Sequence, residues 1–171
     1  MDAAFAIIFF TASLAEMVFT DCPTSCLAKS RPDPRLSVQV GRLEHRHNWD
    51  NRSVMLGLDA PLQQGPYQHT FSVEVTGTND IWIGAGAKVS TDALIPGPLF
   101  LETSFQPGLH FRGDGPDIGG SLHFRSGIAL GYLFENGATL ALAYDHRSNA
   151  DRTIPNPGLD TMSIRYSFTF D

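Results

Sequence analysis

The chain has 171 residues, with 18 acidic and 12 basic side chains and a formal net charge of −6. This length suits a single domain with a sizeable core, and the acidic balance argues against a nucleic-acid partner because no cluster of Lys and Arg is present to neutralise phosphates. A mean hydropathy of −0.09 excludes a bundle of membrane-spanning helices, each of which needs about twenty apolar residues in a row. A membrane β-barrel is not excluded, since its alternating strands average to neutral hydropathy.

The N-terminal part of the chain is typical of a leader rather than of a folded domain. Residues 3–15 form the one long apolar stretch, which has the length of a signal-peptide core and is too short to span a membrane as a helix. Cys22 and Cys26 follow it without a nearby His or further Cys, which argues against a zinc site, and we expect them to belong to the leader rather than to form a structural disulfide. We therefore predict a leader over 1–35 and one folded domain over 36–171.

After the leader, apolar and polar residues alternate with a period of two, which predicts β-strands. The last stretch is the clearest, because Met162, Ile164, Tyr166, Phe168 and Phe170 alternate with Ser, Arg and Thr. Gly, Pro, Asn and Asp residues separate one alternating segment from the next, as turns require. The predicted strands lie within residues 36–40, 54–60, 71–75, 81–89, 99–111, 127–134, 140–144 and 162–170.

Two architectures fit eight such strands. A soluble sandwich or lipid-binding barrel turns its apolar residues inward, whereas a membrane barrel turns them outward to lipid. The opposite parity holds Glu102, Gln106, His123, Arg125 and Arg165 among Gly and Ala, a set that suits the filled polar interior of a small membrane barrel. We therefore predict an all-β protein, an eight-stranded antiparallel up-and-down transmembrane β-barrel, in which the two arginines pair with interior carboxylates such as Glu102. The soluble barrel stays the alternative.

The richest chemistry lies in the last predicted hairpin. His146 and Ser148 are two residues apart, so they share one strand face, and Asp160 has the parity of the apolar face of the next strand. If the hairpin is symmetric about Ile154, Asp160 pairs opposite Ser148 and lies diagonal to His146, within side-chain reach. The three groups can then act as nucleophile, base and orienting carboxylate, with Asn149 donating to an oxyanion. A solvated hairpin without chemistry is the alternative.

A family resemblance strengthens the catalytic interpretation. The segments HRSNA (146–150) and NPGLD (156–160) resemble the signature of the lipid A 3-O-deacylase family of outer-membrane barrels. The upstream segments 113–119 and 124–132 are similar to the loop before the family's sixth strand and to that strand. The resemblance covers residues 97–171, and the part before them follows the family only in its alternating pattern.

The resemblance implies an eight-stranded barrel with a catalytic triad on its outer surface at the membrane boundary, where it cleaves the acyl ester at position 3 of lipid A. His146 and Ser148 match the base and the nucleophile, Asp160 takes the place of a glutamate, and Asn149 matches the residue that lines the oxyanion hole. We expect lipid A of lipopolysaccharide as substrate, the bacterial outer membrane as location, a homodimer as one oligomeric state to test, and neither a metal nor an organic cofactor. A non-catalytic barrel with a structural or adhesive role is the competing hypothesis.

The expected topology places the hairpin loop outside the cell. With both termini in the periplasm, strand seven runs outward and the loop 149–159 is extracellular, close to lipopolysaccharide. The tight turn at Asn136-Gly137 then falls on the periplasmic side, where short turns are usual. The proline-containing connections at 61–66 and 96–98 are predicted to be unusually long periplasmic loops.

Several other residues carry weaker hypotheses. His45, His47 and Asp50 have the residue types of metal ligands, but no complete ligand set is evident, and a polar extracellular loop is the preferred interpretation. For Trp49 and Trp82, an interfacial aromatic belt and ordinary packing remain equally open.

Two basic residues of the last hairpin have a possible headgroup role under the family resemblance. Arg147 and Arg152 are candidates for contact with lipid A phosphates, unless the neighbouring Asp145 and Asp151 neutralise them.

Overall fold

The computed structural model of the protein describes residues 33–45, 48–64, 67–91 and 97–170, together with residues 8, 11, 12 and 15. Within these residues, eight antiparallel strands pair in chain order and close into a barrel. The strands are β1 (Arg35–His45), β2 (Asn48–Gln64), β3 (Tyr67–Thr76), β4 (Ile81–Thr91), β5 (Leu99–Phe111), β6 (Leu122–Leu133), β7 (Thr139–Ser148) and β8 (Leu159–Thr169). In the described part of the chain, no helix is long and apolar enough to cross a membrane. The predicted leader, with Cys22 and Cys26, lies almost wholly outside the described residues and stays a prediction.

The predicted fold class and all eight strands are confirmed, and most strands are longer than the alternation suggested. The largest difference concerns the connection that was predicted at 61–66. Strand β2 continues to Gln64, and the register between β2 and β3 shifts between Asp59 and Gln63. Pro61 is accommodated in this irregular strand end, which is where a residue without an N–H donor is tolerated. The described chain therefore has strand where a long loop was predicted.

The apolar parity faces outward. Leu142 is 65% exposed, Met162 60% and Leu56 59%, and most apolar residues of this parity on the other strands are exposed as well, although Val89 on β4 is 0% exposed. A soluble barrel would bury these side chains, so the soluble alternative is wrong. A continuous apolar band on the outside of a closed barrel is the surface that a lipid bilayer requires.

The interior is filled by hydrogen-bonded polar and charged side chains. In the periplasmic half of the barrel, Lys88 binds both Asp59 and Glu102, and the Arg165 guanidinium binds the other carboxylate oxygen of Glu102. Lys88, Asp59 and Glu102 are almost completely buried, and the Arg165 side chain is 14% exposed. The predicted pairing of Arg165 with Glu102 is thus confirmed, and it leaves these charges compensated inside the barrel.

A second interior cluster surrounds Trp82 nearer the extracellular end. The Arg125 guanidinium binds Asp145 at 2.6 Å and Arg147 binds Glu74 at 2.6 Å, and both guanidinium groups lie within 6 Å of the Trp82 ring centre. Trp82 is 1% exposed, so of the two alternatives left open for it, interior packing is right and the interfacial belt is excluded. The side chain of Trp49 lies outside what the structure describes.

Arg147 requires the same kind of correction, since it is 3% exposed. It cannot contact a lipid headgroup from inside the barrel. The reason is the strand parity: Arg147 lies between His146 and Ser148 and must point to the opposite side of the sheet.

The loop between β5 and β6 folds over the extracellular end of the barrel. Ile118 packs on Leu43 and Leu159 in a small buried apolar cluster, and the Asp80 carboxylate accepts hydrogen bonds from the backbone N–H groups of Gly113 and Gly115. These contacts fix the loop against β1, the first residue of β8 and the turn between β3 and β4. The two loops together form the rigid surroundings of the candidate site.

Candidate active site

The outward row of β7 runs from lipid-facing residues to chemically reactive ones. Leu140 and Leu142 are exposed, and Tyr144, His146 and Ser148 continue the same face as half-buried residues toward the extracellular end. This confirms the predicted face of the two candidate residues. Alternate residues on one strand lie about 7 Å apart, so the imidazole and the hydroxyl are neighbours on the outer surface.

The third candidate lies directly beside the imidazole. His146 and Asp160 are cross-strand partners in the β7–β8 register, and His146 Nδ1 donates to Asp160 Oδ1 at 2.8 Å. The side chain of Tyr144 also hydrogen-bonds the Asp160 carboxylate. The prediction that Asp160 pairs opposite Ser148 is wrong by two residues, because the hairpin loop is not symmetric about Ile154. The actual register places the carboxylate closer to the imidazole than was predicted.

Gly158 provides the space in which the imidazole lies. Its backbone has a φ of +71°, and a Cβ atom at this position would lie 2.9 Å from His146 Cε1 and 3.6 Å from Nε2. A left-handed backbone and close contact with a neighbour are the two conditions that favour glycine. Gly158 therefore determines the orientation of the ring as well as the path of the chain into β8.

The side chain of Asn149 does not point toward the other candidates. It is 1% exposed, on the interior side of the strand, and its Nδ2 lies 2.9–3.1 Å from five oxygen atoms. Those oxygens belong to Ile118, Gly119, Thr153 and Pro155, so the amide connects the β5–β6 loop to the β7–β8 loop. The geometry does not support the expected donation from this side chain to an oxyanion at Ser148. The reason is again parity, since neighbouring residues on a strand face opposite sides.

The start of the β7–β8 loop is held by a further pair of hydrogen bonds. The Asn149 N–H donates to Asn156 Oδ1 at 3.0 Å, and Asn156 Nδ2 donates to the Asp151 carboxylate at 2.8 Å. Ala150 and Asp151 both have positive φ angles, of 54° and 56°. The loop is thus a fixed structure, and the Asp151 carboxylate is bound to Asn156 at its exposed surface.

A shallow apolar groove runs along the outer face and ends on β7 at Tyr144, two residues before His146. Its volume is about 780 Å³. It crosses β5, β6, β7, β8, β1 and β2, with Ile128, Leu142, Tyr144 and Met162 on the side near His146. The shape and chemistry suit an acyl chain that lies against the barrel wall.

The described residues contain no group of three or more His, Cys, Asp or Glu side chains arranged to hold a metal ion. His45 ends strand β1, whereas His47 and the side chain of Asp50 lie outside the described residues. Inside the barrel, His110 and His123 stack with ring centres 4.8 Å apart, and His123 Nε2 lies 2.8 Å from the Gly119 carbonyl oxygen.

Sequence reasoning missed two residues of the site. Tyr144 ends the predicted strand 140–144 and was given no role there, although its position two residues before His146 could have indicated a role near the same carboxylate. Gly158 lies within the segment 156–160 and was given no role of its own, since no local signal shows that an imidazole lies over it. The structure thus adds the orienting contacts to the three residues that the sequence predicted.

The fold and these residues define a class of protein: a bacterial outer-membrane β-barrel that carries a Ser, a His and an Asp together on its outward-facing surface. The family model described as "Lipid A 3-O-deacylase (PagL)" matches residues 41–169. The chain belongs to this lipid A 3-O-deacylase family.

Individual relatives agree with this assignment. The chain is 33% identical over 85 residues to a protein named lipid A deacylase PagL from Bordetella bronchiseptica, an alignment that covers 50% of this chain and 43% of the relative. The chain thus matches less than half the length of that curated relative.

Solved structures confirm the barrel. The crystal structure of the outer membrane enzyme PagL superposes with a TM-score of 0.63 at 21% identity, covering 80% of this chain and 99% of the other. Neisserial surface protein A gives a TM-score of 0.56 at 9% identity, covering 83% and 99%. At these identities the likeness shows the fold alone.

Proposed function

We propose that the protein is a lipid A 3-O-deacylase, a serine ester hydrolase that removes the acyl chain bound through an ester at position 3 of lipid A. The observation that carries the proposal is the 2.8 Å hydrogen bond between His146 and Asp160 on the outward face, with Ser148 next on the same strand. Family membership supplies the substrate, and the position at the extracellular end of the apolar band supplies access to it. No metal or organic cofactor is part of the proposal.

The proposed reaction has two steps with Ser148 as nucleophile. In the first, its Oγ attacks the ester carbonyl carbon while His146 Nε2 takes the hydroxyl proton, and the imidazolium then gives that proton to the departing sugar oxygen. In the second, water attacks the acyl-serine ester, again through His146, and a free fatty acid leaves. Because Nδ1 is bound to Asp160, Nε2 is the nitrogen that faces the reaction, and the carboxylate stabilises the imidazolium.

The apolar groove is the proposed place of the acyl chain. A chain lying along Leu142 and Ile128 would leave its ester end at the level of His146 and Ser148, because these residues follow Tyr144 on one strand face. Each methylene group removed from water contributes about 0.8 kcal/mol, but a chain already in a bilayer gains little from the groove beyond shape. The groove therefore orients the substrate rather than extracting it.

The proposal is tested with folded protein and purified lipopolysaccharide. Mass spectrometry of the lipid A product should show the loss of one 3-hydroxy fatty acid, and a Ser148→Ala variant should lose at least about a thousandfold in rate while the barrel stays folded. The control is Ser121→Ala, which alters an exposed serine of the β5–β6 loop. A folded wild-type protein that leaves lipid A intact would establish the competing non-catalytic role.

Homodimerisation stays a prediction. The mass of the detergent-solubilised protein, corrected for bound detergent, tests it directly. A monomer that is fully active would contradict it.

A further inference from the structure

Two arginines lie side by side on the outer surface near the candidate site, and neither the fold nor the proposed catalysis explains them. Arg42 on β1 and Arg52 on β2 are direct cross-strand partners, and both are exposed. They follow the last apolar residues of their rows, which are Val40 and Val54. The pair thus marks the extracellular edge of the apolar band.

This arrangement is unfavourable unless an anion is present. Like charges directly opposite each other on neighbouring strands destabilise a sheet, and a charge on the lipid-facing side of a barrel adds a cost that grows with depth. In the described part of the chain, neither guanidinium takes part in an ion pair, in contrast to Arg125, Arg147 and Arg165 inside the barrel. Glu44 lies two residues after Arg42, toward the extracellular end and on the same face of β1, and its cross-strand partner is Asp160.

The register places the arginine pair beside the candidate site. Arg42 on β1 pairs with Met162 on β8, and Met162 pairs with Tyr144 on β7. Tyr144 is two residues before His146 on the same strand face. The Cα atoms of Arg42 and His146 are separated by two inter-strand spacings and by a two-residue step along the strand, which together give a distance of about 12 Å. Long arginine side chains can therefore reach a headgroup whose ester lies at Ser148.

The pair also lies at the right depth in the membrane. The partners of Val40, in the middle of β1, run through Ile164, Leu142 and the next strands to Thr91, the last residue of β4 at the periplasmic end. A path along paired residues from β1 through β8 to β7 therefore moves toward the periplasmic side of the barrel. The reverse path, from β7 to β1, moves toward the extracellular side, as strand tilt in a barrel requires. Along the paired residues, Arg42 corresponds to Tyr144, which lies two residues on the periplasmic side of His146. The rise toward the extracellular side from β7 to β1 compensates for this difference, so Arg42 and His146 lie near the same depth in the membrane.

Both arginines also border the groove that is proposed to hold the acyl chain. The groove thus has an apolar floor, Tyr144 at the side of its outer end that leads to His146 and Ser148, and two positive charges at the other side. Guanidinium groups bind phosphate through two parallel hydrogen bonds each, which makes a pair of them well suited to a phosphate monoester.

We propose that Arg42 and Arg52 bind a phosphate group of the lipid substrate and so position its 3-O-ester at Ser148. This inference rests on the proposed deacylase function and adds to it the part of the substrate that is recognised by charge. Lipid A is a phosphorylated glucosamine disaccharide, so its ester and phosphate groups belong to one headgroup. The role replaces the one that the sequence suggested for Arg147, which is buried inside the barrel.

The test compares two substrates, lipid A and the same lipid A after removal of its phosphates, in neutral detergent. An Arg42→Gln/Arg52→Gln double variant should raise KM for the phosphorylated lipid by about tenfold to a hundredfold, with kcat nearly unchanged, and leave KM for the dephosphorylated lipid unaltered. The Arg42→Lys/Arg52→Lys variant should recover part of the loss. Arg112→Gln, which removes an exposed arginine bound to Asp117, is the matched control and should behave as wild type.

Binding measurements separate this inference from the proposed catalysis. With Ser148→Ala protein, which holds the lipid without cleaving it, affinity for phosphorylated lipid should exceed that for dephosphorylated lipid and should fall as salt rises, and the arginine substitutions should remove both effects. If wild type does not hydrolyse lipid A, the deacylase proposal fails while this binding difference still tests the arginine pair. Equal behaviour of the double variant and wild type on both lipids would overturn the inference.

A phosphate from a neighbouring lipid is a separate outcome of the same experiment. Phosphatidylglycerol is added to the detergent micelles that carry the dephosphorylated substrate. If the double variant is impaired only when this anionic lipid is present, the arginines hold a neighbouring lipid, and the assignment to the substrate's own phosphate is overturned.

Discussion

Replacement of Gly158 by alanine tests whether the imidazole is held as the structure shows. The added Cβ would lie 2.9 Å from His146 Cε1, whereas carbon atoms in contact prefer about 3.5–4.0 Å, so the ring or the loop must move by about 0.6 Å or more. The ring is also bound to Asp160 at 2.8 Å, and such a shift strains this hydrogen bond. Because misplacement of a catalytic group by about 1 Å can cost about a hundredfold, we expect kcat to fall by about ten- to a hundredfold.

The matched control is Gly97→Ala. Gly97 has a φ of +81°, and a Cβ added there would meet no atom within 4 Å beyond its chain neighbours, so the substitution imposes the same backbone strain without contact to the site. Both variants should lose about 1–2 kcal/mol of stability from the left-handed backbone, measured by urea unfolding from lipid vesicles. Only Gly158→Ala should lose deacylase activity, measured as fatty acid released from lipid A. Unchanged kcat in Gly158→Ala, or an equal loss in both variants, would refute the reasoning.

Three further substitutions separate catalytic from structural roles. Asp160→Asn keeps the shape of the side chain but removes the charge that stabilises the imidazolium, so the deacylation rate should fall by about a thousandfold or more. Asp160→Glu keeps the charge and should retain measurable activity. Equal rates for Asp160→Asn and wild type would exclude the carboxylate from catalysis. Asn149→Ala removes the contacts between the two extracellular loops and should cost about 1–3 kcal/mol in urea unfolding, and an unchanged midpoint would contradict that role. Arg147→Met leaves Glu74 buried with a weaker partner and should cost about 3 kcal/mol or more, while the exposed Arg152→Met should leave stability unchanged.

The sequence predicted the face of each strand residue because strand parity is a local property. Alternation of two residue classes requires no knowledge of the partner strands, so the outward position of His146 and Ser148 and the inward position of Arg165 could be predicted from spacing alone. The same rule should have excluded Arg147 and the side chain of Asn149 from the outer surface. Their interior positions were missed because Arg147 was treated as a loop residue and Asn149 was judged by its adjacency to Ser148, so parity was applied to neither.

Register and loop conformation could not be predicted in this way. The pairing of His146 with Asp160 depends on how the β7–β8 loop divides its residues, which the loop decides through Asn149, Asn156 and the left-handed residues after β7. The position of Trp82 between two guanidinium groups likewise depends on side chains from strands that are distant in the chain.

The sequence by itself determined the strand content, the outward apolar face, the polar interior and the three residues proposed for catalysis, because each follows from short-range periodicity or from a contiguous motif. Only the tertiary structure decided which residues meet across strands: His146 with Asp160, the imidazole over Gly158, and Arg42 beside Arg52 at the end of the groove. These contacts depend on the shear of the barrel, which is the total stagger of the strands after one turn around it. All eight strand pairings contribute to the shear, so no local segment of the sequence specifies it.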